Sequence, residues 1–383
     1  MASWALAGCA SVSLDGLTGS TGLVSPAGAS AQPRSVQVFV ASTRKATRDD
    51  DSGETARTTH YSLSTVSIPP GHEPGVIERP SITSESRSRH VVVTSDRRID
   101  PATFQQAIAV QVSGRVGTSR DVLVFVHGFN VNYDEARWRL AQIVADGGFT
   151  GVPVLFTWPS RNKILAYGSD KESATASRDP LDKLLQDLAA TPGVGRVHVI
   201  AHSMGTWLAM EALRQAALAG HGDLNGHLGE VMLAAPDIDL DVFRAQMVYV
   251  GKNARVSVFT STDDRALSVS RTLAGNRTRV GALDLNDPRT REALTSLNVR
   301  VYDLSNMGGG DMFRHGTFAE APTVVRSIGQ QLAEPRQQDK PEAAGQAQSF
   351  IDPQAAEAAS APPPPPAGTV TAQPLPDAPA AAN

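Results

Sequence analysis

Cysteine is almost absent from this sequence, and other absences narrow its function further. The 383 residues contain one cysteine, which excludes an internal disulfide framework and a zinc site built from several cysteines. The 35 basic and 39 acidic side chains give a net charge of −4, so we expect no concentrated basic surface for nucleic acid. No apolar run approaches the ~18 residues of a membrane-spanning helix. No Gly-x-Gly-x-x-Gly motif follows the first predicted strands, which speaks against a dinucleotide-binding protein.

The composition of the chain divides it into three parts. Residues 333–383 contain 15 Ala and 11 Pro, bury too little apolar surface to offset the entropy of ordering, and are predicted to be a disordered tail. Residues 1–34 are rich in Ser, Gly and Ala towards their end and are predicted to be a leader and flexible tether. Residues 35–332 show no internal repeat and no linker-like change of composition, so we predict one domain there.

The single cysteine lies in a short motif near the start of the chain. Leu6-Ala7-Gly8-Cys9 resembles the lipobox of bacterial lipoproteins, in which the cysteine thiol is acylated. Only eight residues precede Cys9 and none is basic, so a genuine signal requires a leader encoded upstream. In that case the protein is exported and tethered to a bacterial envelope membrane through Cys9. If the match is accidental, we expect a cytoplasmic protein; both interpretations remain open.

Short apolar or β-branched runs recur within residues 35–332 and predict strands. They lie at residues 35–41, 91–94, 121–126, 152–156, 197–201, 231–234, 256–260 and 299–304. Between them apolar residues recur at helical spacing, so the pattern predicts a mostly parallel sheet flanked by helices. Residues 43–89 fit this pattern less well, and we predict a surface elaboration ahead of the main sheet.

The sharpest motif is Val-His-Val-Ile-Ala-His-Ser-Met-Gly at residues 197–205, directly before a helical pattern. A serine between a strand and a helix, with small residues two positions before and after it, is typical of a nucleophile elbow. Ala201 and Gly205 keep this turn free of bulk. Ser203 then stands at a helix N-terminus, where backbone dipoles favour developing negative charge. The motif predicts Ser203 as a nucleophile.

An upstream strand supplies the second element of such a site. Residues 121–126 are followed by His127-Gly128-Phe129-Asn130. Ester hydrolysis through a serine needs two N–H donors for the tetrahedral oxyanion. We predict the backbone N–H groups of Phe129 and Met204 as these donors, since Gly128 lets the backbone approach closely. We expect His127 to order this loop through hydrogen bonds rather than to act as a base.

The order of residues after Ser203 indicates the base. Only His221, His227 and His315 follow the serine. The first two precede the next strand, which is too early for the chain order Ser, then Asp or Glu, then His. Position and elimination therefore favour His315 as the base.

Several carboxylates compete as the residue that orients this base. Asp263 and Asp264 directly follow the strand at 256–260, at the edge where parallel sheets gather their active sites. Asp237 and Asp239 follow the preceding strand, and one of these two can instead cap the short helix near Leu240. We favour Asp264 and expect Asp263 to cap the helix that begins near Arg265. Asp263 and Asp237 remain alternatives.

The segment at residues 158–180 follows another strand and contains two candidates for the substrate pocket, Trp158 and Tyr167. Its position allows a pocket wall, a small lid or an ordinary connecting loop.

Several of these motifs together resemble a known family. They are His-Gly-Phe-Asn at 127–130, Phe-Thr-Trp-Pro-Ser at 156–160, Tyr167 with Asp170, Ala-His-Ser-Met-Gly at 201–205 and Ser-Thr-Asp-Asp-Arg-Ala-Leu at 261–267. In this order they resemble the bacterial α/β-hydrolase family of unknown function, related to esterases and lipases, over residues 35–332. The resemblance implies an α/β-hydrolase fold. It also supports Asp264, since the family's motif has an aspartate immediately before Arg-Ala-Leu.

These residues predict a serine hydrolase that acts on small-molecule carboxylic esters through an acyl-serine intermediate. The chemistry needs no metal and no organic cofactor. Amidases, thioesterases and acyltransferases use the same machinery and are not separated from esterases by these motifs. A non-catalytic binding or scaffold protein, tethered to a surface, is the alternative on the same fold.

Overall fold

The structure, a computed structural model, describes most of the central part of the chain. It covers residues 32–45, 55–80, 85–161, 163–273, 275–305, 307, 315–334 and 350–351. None of the helices within these residues is long and apolar enough to span a membrane. Cys9 and most of the two predicted tails lie outside the described residues. Lipidation of Cys9 and the proposed domain limits therefore remain predictions.

Strands and helices alternate along much of the described chain. The strands are β1 (Arg34–Arg44), β2 (Thr55–Ile68), β3 (Val92–Ile99), β4 (Val122–Val126), β5 (Val152–Thr157), β6 (Val197–His202), β7 (Leu228–Ala234), β8 (Arg255–Thr260), β9 (Arg300–Asp303) and β10 (Phe350–Ile351). The helices are α1 (Pro101–Val112), α2 (Tyr133–Gly147), α3 (Tyr167–Ala176), α4 (Arg178–Ala190), α5 (Met204–Leu218), α6 (Leu240–Val250), α7 (Arg265–Leu273), α8 (Pro288–Ser296), α9 (Thr317–Glu320) and α10 (Pro322–Ala333).

These strands form one sheet in the order β3-β2-β1-β5-β4-β6-β7-β8-β9-β10. From β1 to β10 all neighbours are parallel, whereas β2 pairs antiparallel with both β1 and β3. The mostly parallel sheet with flanking helices is therefore confirmed.

The β2 strand corrects the prediction of a surface elaboration at residues 43–89. It pairs with β1 from Arg34 opposite Ile68 to Arg44 opposite Thr55, and so extends the main sheet. Its inward positions include Ser62 and Ser64, which are buried. Because serines occupy these positions, the strand lacks the apolar signal on which the sequence prediction depended.

The core lies on both faces of the sheet. In β4, Val122, Val124 and Val126 pack into the apolar cluster on one face, while Leu123 and Phe125 pack into the cluster on the other. Successive strand residues point to opposite faces, so a strand covered on both faces is apolar throughout.

Parallel pairing places the carboxyl ends of β4, β6 and β8 at one edge of the sheet. The segments that follow these strands begin with His127, Ser203 and Ser261. His315 belongs to the connection between β9 and α9. Because the edge is shared, residues far apart in sequence meet there.

Candidate active site

Ser203 occupies a strained turn between β6 and α5. Its backbone has φ 53° and ψ −123°, a conformation that costs a non-glycine residue ~1–3 kcal/mol. The turn also requires glycine two residues later, since a Cβ on Gly205 would lie 2.3 Å from the carbonyl oxygen of His127. This local geometry is that of the nucleophile elbow the motif predicts.

The loop after β4 lies directly against this serine. A Cβ on Gly128 would lie 2.9 Å from both the Cβ of Ser203 and the Nδ1 of His202, so no larger residue fits. Phe129 follows this glycine and lines the cavity beside Ser203. Within the described residues, neither the N–H of Phe129 nor that of Met204 donates to another protein group. Both groups thus suit the oxyanion role that we predict for them.

The structure brings Asp264 and His315 together. The Nδ1 of His315 lies 2.6 Å from Oδ2 of Asp264, whose side chain is only 1% exposed. The other oxygen, Oδ1, accepts a hydrogen bond of 2.9 Å from the N–H of Leu267 in the first turn of α7. Asp264 itself therefore caps this helix, which corrects the expectation that Asp263 does so. A carboxylate on Nδ1 makes Nε2 the basic nitrogen of the imidazole.

The alternative acid, Asp237, is engaged elsewhere. Its Oδ2 accepts a 2.8 Å hydrogen bond from the Tyr167 hydroxyl, and its Oδ1 accepts one of 2.5 Å from Ser270. Oδ1 also lies 3.1 Å from Nε of Arg279 in a buried ion pair. The carboxylate in contact with His315 is that of Asp264.

His202 supports the other side of His315. Its Nε2 lies 3.1 Å from the carbonyl oxygen of His315, and its ring stacks on Phe318 with centroids 4.8 Å apart. Burial, followed by the nearby His315, lowers the pKa of His202 well below its usual 6.5, so the ring is neutral and donates through Nε2. Sequence reasoning missed this role. The only signal was the position of His202 beside the predicted nucleophile.

His127 makes hydrogen bonds within and beside the loop after β4, as we expected. Its Nδ1 donates to the carbonyl oxygen of Gly128 at 2.8 Å, and its Nε2 accepts from Thr157 Oγ1 at 3.0 Å. Burial, followed by the charge of Arg44, lowers the pKa of His127 to about 3. The ring therefore stays neutral at physiological pH.

Trp158 does not line the cavity, which corrects the expectation of a pocket residue. Its side chain is fully buried and stacks on His127 with ring centroids 5.2 Å apart. Its Nε1 donates to the carbonyl oxygen of His127 at 2.9 Å. The other candidate, Tyr167, does line the cavity. The described residues directly after Trp158 have no regular structure, whereas the segment becomes helical from a 3-10 turn at Ile164–Ala166 onwards and continues into α3.

Arg44, at the end of β1, donates hydrogen bonds to the loop after β4 and to the segment after β5. Its Nη2 donates to the carbonyl oxygen of Val131 at 2.9 Å and its Nη1 to that of Ser160 at 3.2 Å. Its Nε donates to Thr157 Oγ1 at 2.9 Å, and this hydroxyl in turn contacts His127. One buried guanidinium thus secures both ends of the loop that contains Phe129. Sequence analysis missed it because the surrounding segment was expected to lie at the surface.

Ser203 and His315 both line a cavity of about 620 Å³. Four of its charged lining residues form two ion pairs, one between Arg79 and Glu135 and one between Arg139 and Glu320, and the fifth, Asp237, pairs with buried Arg279 behind the wall. Because each pair is balanced, the cavity carries no excess charge of one sign from these residues. Within the described part of the chain, no group of three or more His, Cys, Asp or Glu is arranged to hold a metal ion.

Comparison with known proteins identifies a family for this chain, whereas its similarity to individual proteins is short or weak. Among curated proteins, an uncharacterized protein of Nostoc sp. is 37% identical over 60 residues, which cover 16% of each chain. Among solved structures, a predicted CIB-like hydrolase from Thermoplasma acidophilum is 15% identical, with 57% of this chain and 88% of that chain covered and a TM-score of 0.35. An esterase from Pyrobaculum calidifontis is 14% identical, with coverages of 61% and 93% and a TM-score of 0.32.

The family match is longer than these and spans the candidate site. Residues 101–336 match the family described as alpha/beta hydrolase of unknown function (DUF900). The match includes Ser203, Asp264 and His315 and leaves out β1 to β3 with Arg44. This chain therefore belongs to the alpha/beta hydrolase family of unknown function.

Proposed function

We propose that this protein is a serine hydrolase that cleaves small-molecule carboxylic esters. The observation that carries the proposal is the 2.6 Å contact between His315 and Asp264, beside the cavity that His315 shares with Ser203. A nucleophile, a base and an orienting acid in one place are the requirement for acyl transfer through serine. Paired charges in the cavity wall favour a substrate without net charge, as most simple esters are.

The first half of the reaction acylates the serine. Nε2 of His315 takes the proton of the Ser203 hydroxyl while Oγ attacks the ester carbonyl carbon. The carbonyl oxygen becomes an oxyanion and accepts hydrogen bonds from the N–H groups of Phe129 and Met204. As the intermediate collapses, the imidazolium gives its proton to the leaving alcohol oxygen. Asp264 stabilises the imidazolium throughout without taking its proton.

The second half restores the enzyme. Water enters the cavity, and Nε2 of His315 takes a proton from it as the water oxygen attacks the acyl carbon. The second tetrahedral intermediate uses the same two N–H donors. Return of the proton to Ser203 Oγ releases the carboxylic acid.

Hydrolysis of 4-nitrophenyl butyrate by wild type and variants tests the proposal. We expect Ser203→Ala to lower kcat by at least ~10³-fold, and Asp264→Asn to lower it by ~10⁴-fold because the imidazole loses its correct tautomer. The matched control is Asp263→Asn, one residue away, which should leave kcat within about twofold because Asp264 supplies the contact with His315. Full activity of folded Ser203→Ala would refute the proposal.

Labelling with a fluorophosphonate separates a hydrolase from the non-catalytic scaffold that remains the alternative. We expect wild type to be labelled at Ser203 and His315→Ala to react far more slowly, because the serine then has no base. His221→Ala is the control, since His221 contacts Asp182 and does not line the cavity. Folded wild-type protein that neither reacts with the probe nor hydrolyses esters would favour the scaffold.

A further inference from the structure

Three polar side chains from different elements meet on the cavity wall next to the nucleophile. We call Tyr167, Asp237 and Ser270 the Tyr-Asp-Ser cluster; all three line the cavity. The N–H of Asp237 lies 3.4 Å from the carbonyl oxygen of Ser203. The ring of Tyr167 meets that of Phe129 edge-on, with centroids 5.6 Å apart. The cluster is thus adjacent to both the nucleophile and the predicted oxyanion loop.

The protons of this cluster all point towards the carboxylate. The Tyr167 hydroxyl donates to Oδ2 of Asp237 at 2.8 Å, and the Ser270 hydroxyl donates to Oδ1 at 2.5 Å. Each hydroxyl has a single proton, so none remains for the 2.9 Å contact between the Tyr167 and Ser270 oxygens. Burial, followed by the negative charge of Asp237, raises the pKa of Tyr167, so the phenol keeps its proton.

Buried Arg279 balances the negative charge of Asp237. Its side chain is 2% exposed, and its Nε lies 3.1 Å from Oδ1 of Asp237. A carboxylate buried beside a guanidinium accepts hydrogen bonds and donates none. The Asp237 carboxylate therefore accepts the hydrogen bonds of both hydroxyl groups.

The cluster consequently has more acceptors than donors. The lone pairs of the Tyr167 and Ser270 oxygens, 2.9 Å apart, have no donor within the cluster. A substrate hydroxyl can supply one, whereas a methyl group in its place leaves these acceptors without a donor.

Building on the proposed ester hydrolysis, we propose that the Tyr-Asp-Ser cluster selects esters that carry a hydroxyl group a few bonds from the scissile carbonyl. The position of the cluster beside Ser203 limits the hydroxyl to the part of the substrate close to the reacting carbon. The substrate class is therefore that of hydroxylated short-chain esters, with the hydroxyl in the acyl or the alcohol part.

Two pairs of esters of equal shape test this selectivity. In the acyl part, 4-nitrophenyl 3-hydroxybutyrate is compared with 4-nitrophenyl 3-methylbutyrate; in the alcohol part, 2-hydroxyethyl butyrate is compared with propyl butyrate. We expect the hydroxylated ester to have a kcat/KM higher by about tenfold or more in at least one pair. Ratios within about twofold in both pairs, or a preference for the methyl compounds, would overturn the proposal.

Ser270→Ala links the preference to the cluster. It removes one of the two acceptor oxygens, so we expect the ratio of the preferred pair to fall by about threefold or more. Thr272→Ala, which removes an exposed hydroxyl from the same helix, should leave the ratio unchanged. An unchanged ratio in folded Ser270→Ala would show that the hydroxyl binds elsewhere and overturn the assignment. If this variant does not fold, the wild-type ratios alone decide.

The labelling and kinetic results distinguish a failure of the proposed selectivity from a failure of the proposed hydrolase function. If the fluorophosphonate labels Ser203 and both members of each pair react equally, the selectivity is wrong and the hydrolase assignment stands. If the probe does not label folded protein and no ester is hydrolysed, both proposals are wrong.

Discussion

We expect replacement of Arg44 by lysine to lower kcat, because Arg44 holds the loop that contains Phe129. Arg44 does not line the cavity, yet its guanidinium donates to Val131, Ser160 and Thr157. Lysine keeps the positive charge but has no planar fork, so it cannot reach three acceptors that lie in different directions. The loop that contains Phe129 then loses at least one of its two attachments.

The geometry sets the size of the expected effect. Hydrogen bonds from charged groups contribute ~1.5–3 kcal/mol each, so loss of two of them should lower the free energy of unfolding by about 3–6 kcal/mol. In the proposed mechanism, movement of this loop turns the N–H of Phe129 away from the oxyanion. Removal of one such donor costs ~10²–10³-fold in kcat. Because this donor acts in the transition state, we expect kcat to fall and KM to change little.

Steady-state kinetics and urea unfolding of the same preparations measure both effects. Arg137→Lys is the matched control, since Arg137 is also fully buried but pairs with Asp96 and Asp134 away from the cavity. It should lose stability with an unchanged kcat. If Arg44→Lys is destabilised to the same extent and keeps the wild-type kcat, Arg44 does not position the loop that contains Phe129.

Two further predictions concern the loop after β4 and the segment around His72. Gly128→Ala places a Cβ 2.9 Å from the Cβ of Ser203, so we expect a folded protein with strongly reduced fluorophosphonate labelling; wild-type labelling rates would contradict the close approach. The hydrogen bond to Asp146 is the main cause that raises the pKa of His72 above 6.5, so its stabilisation is complete below pH 6.5 and is lost as pH rises through the folded-state pKa. Urea unfolding should therefore show a larger stability difference between wild type and His72→Gln at pH 6 than at pH 9, and equal differences would contradict it.

Local steric and polar constraints explain why parts of the site were predictable. The elbow needs small residues at fixed distances from Ser203, and the clash that any Cβ at Gly205 would make shows why. Strands buried on both faces, such as β4, must be apolar throughout, so their runs are visible in the sequence. The β2 strand was missed because Ser62 and Ser64 occupy two of its buried positions and interrupt the apolar pattern.

Orientation, by contrast, is not visible in a pattern of residue types. Trp158 and Tyr167 follow the same strand, yet one packs beneath the loop after β4 and the other lines the cavity. Asp263 and Asp264 are neighbours of identical chemistry. The start of α7 distinguishes them, because the N–H of Leu267 in its first turn donates to the carboxylate of Asp264 and holds it in place.

The amino-acid sequence by itself determined the alternation of strands and helices, the tight turn at Ser203 and the order of the candidate catalytic residues, since all of these follow from local sterics and periodicity. The tertiary structure decided between the candidate acids, since Asp264 meets His315 across 51 positions, and it alone brought Arg44 to Val131 across 87. Such contacts depend on the register and order of strands in the sheet. Strand register and strand order are set by packing over the whole domain, so the sequence immediately around each residue does not reveal them.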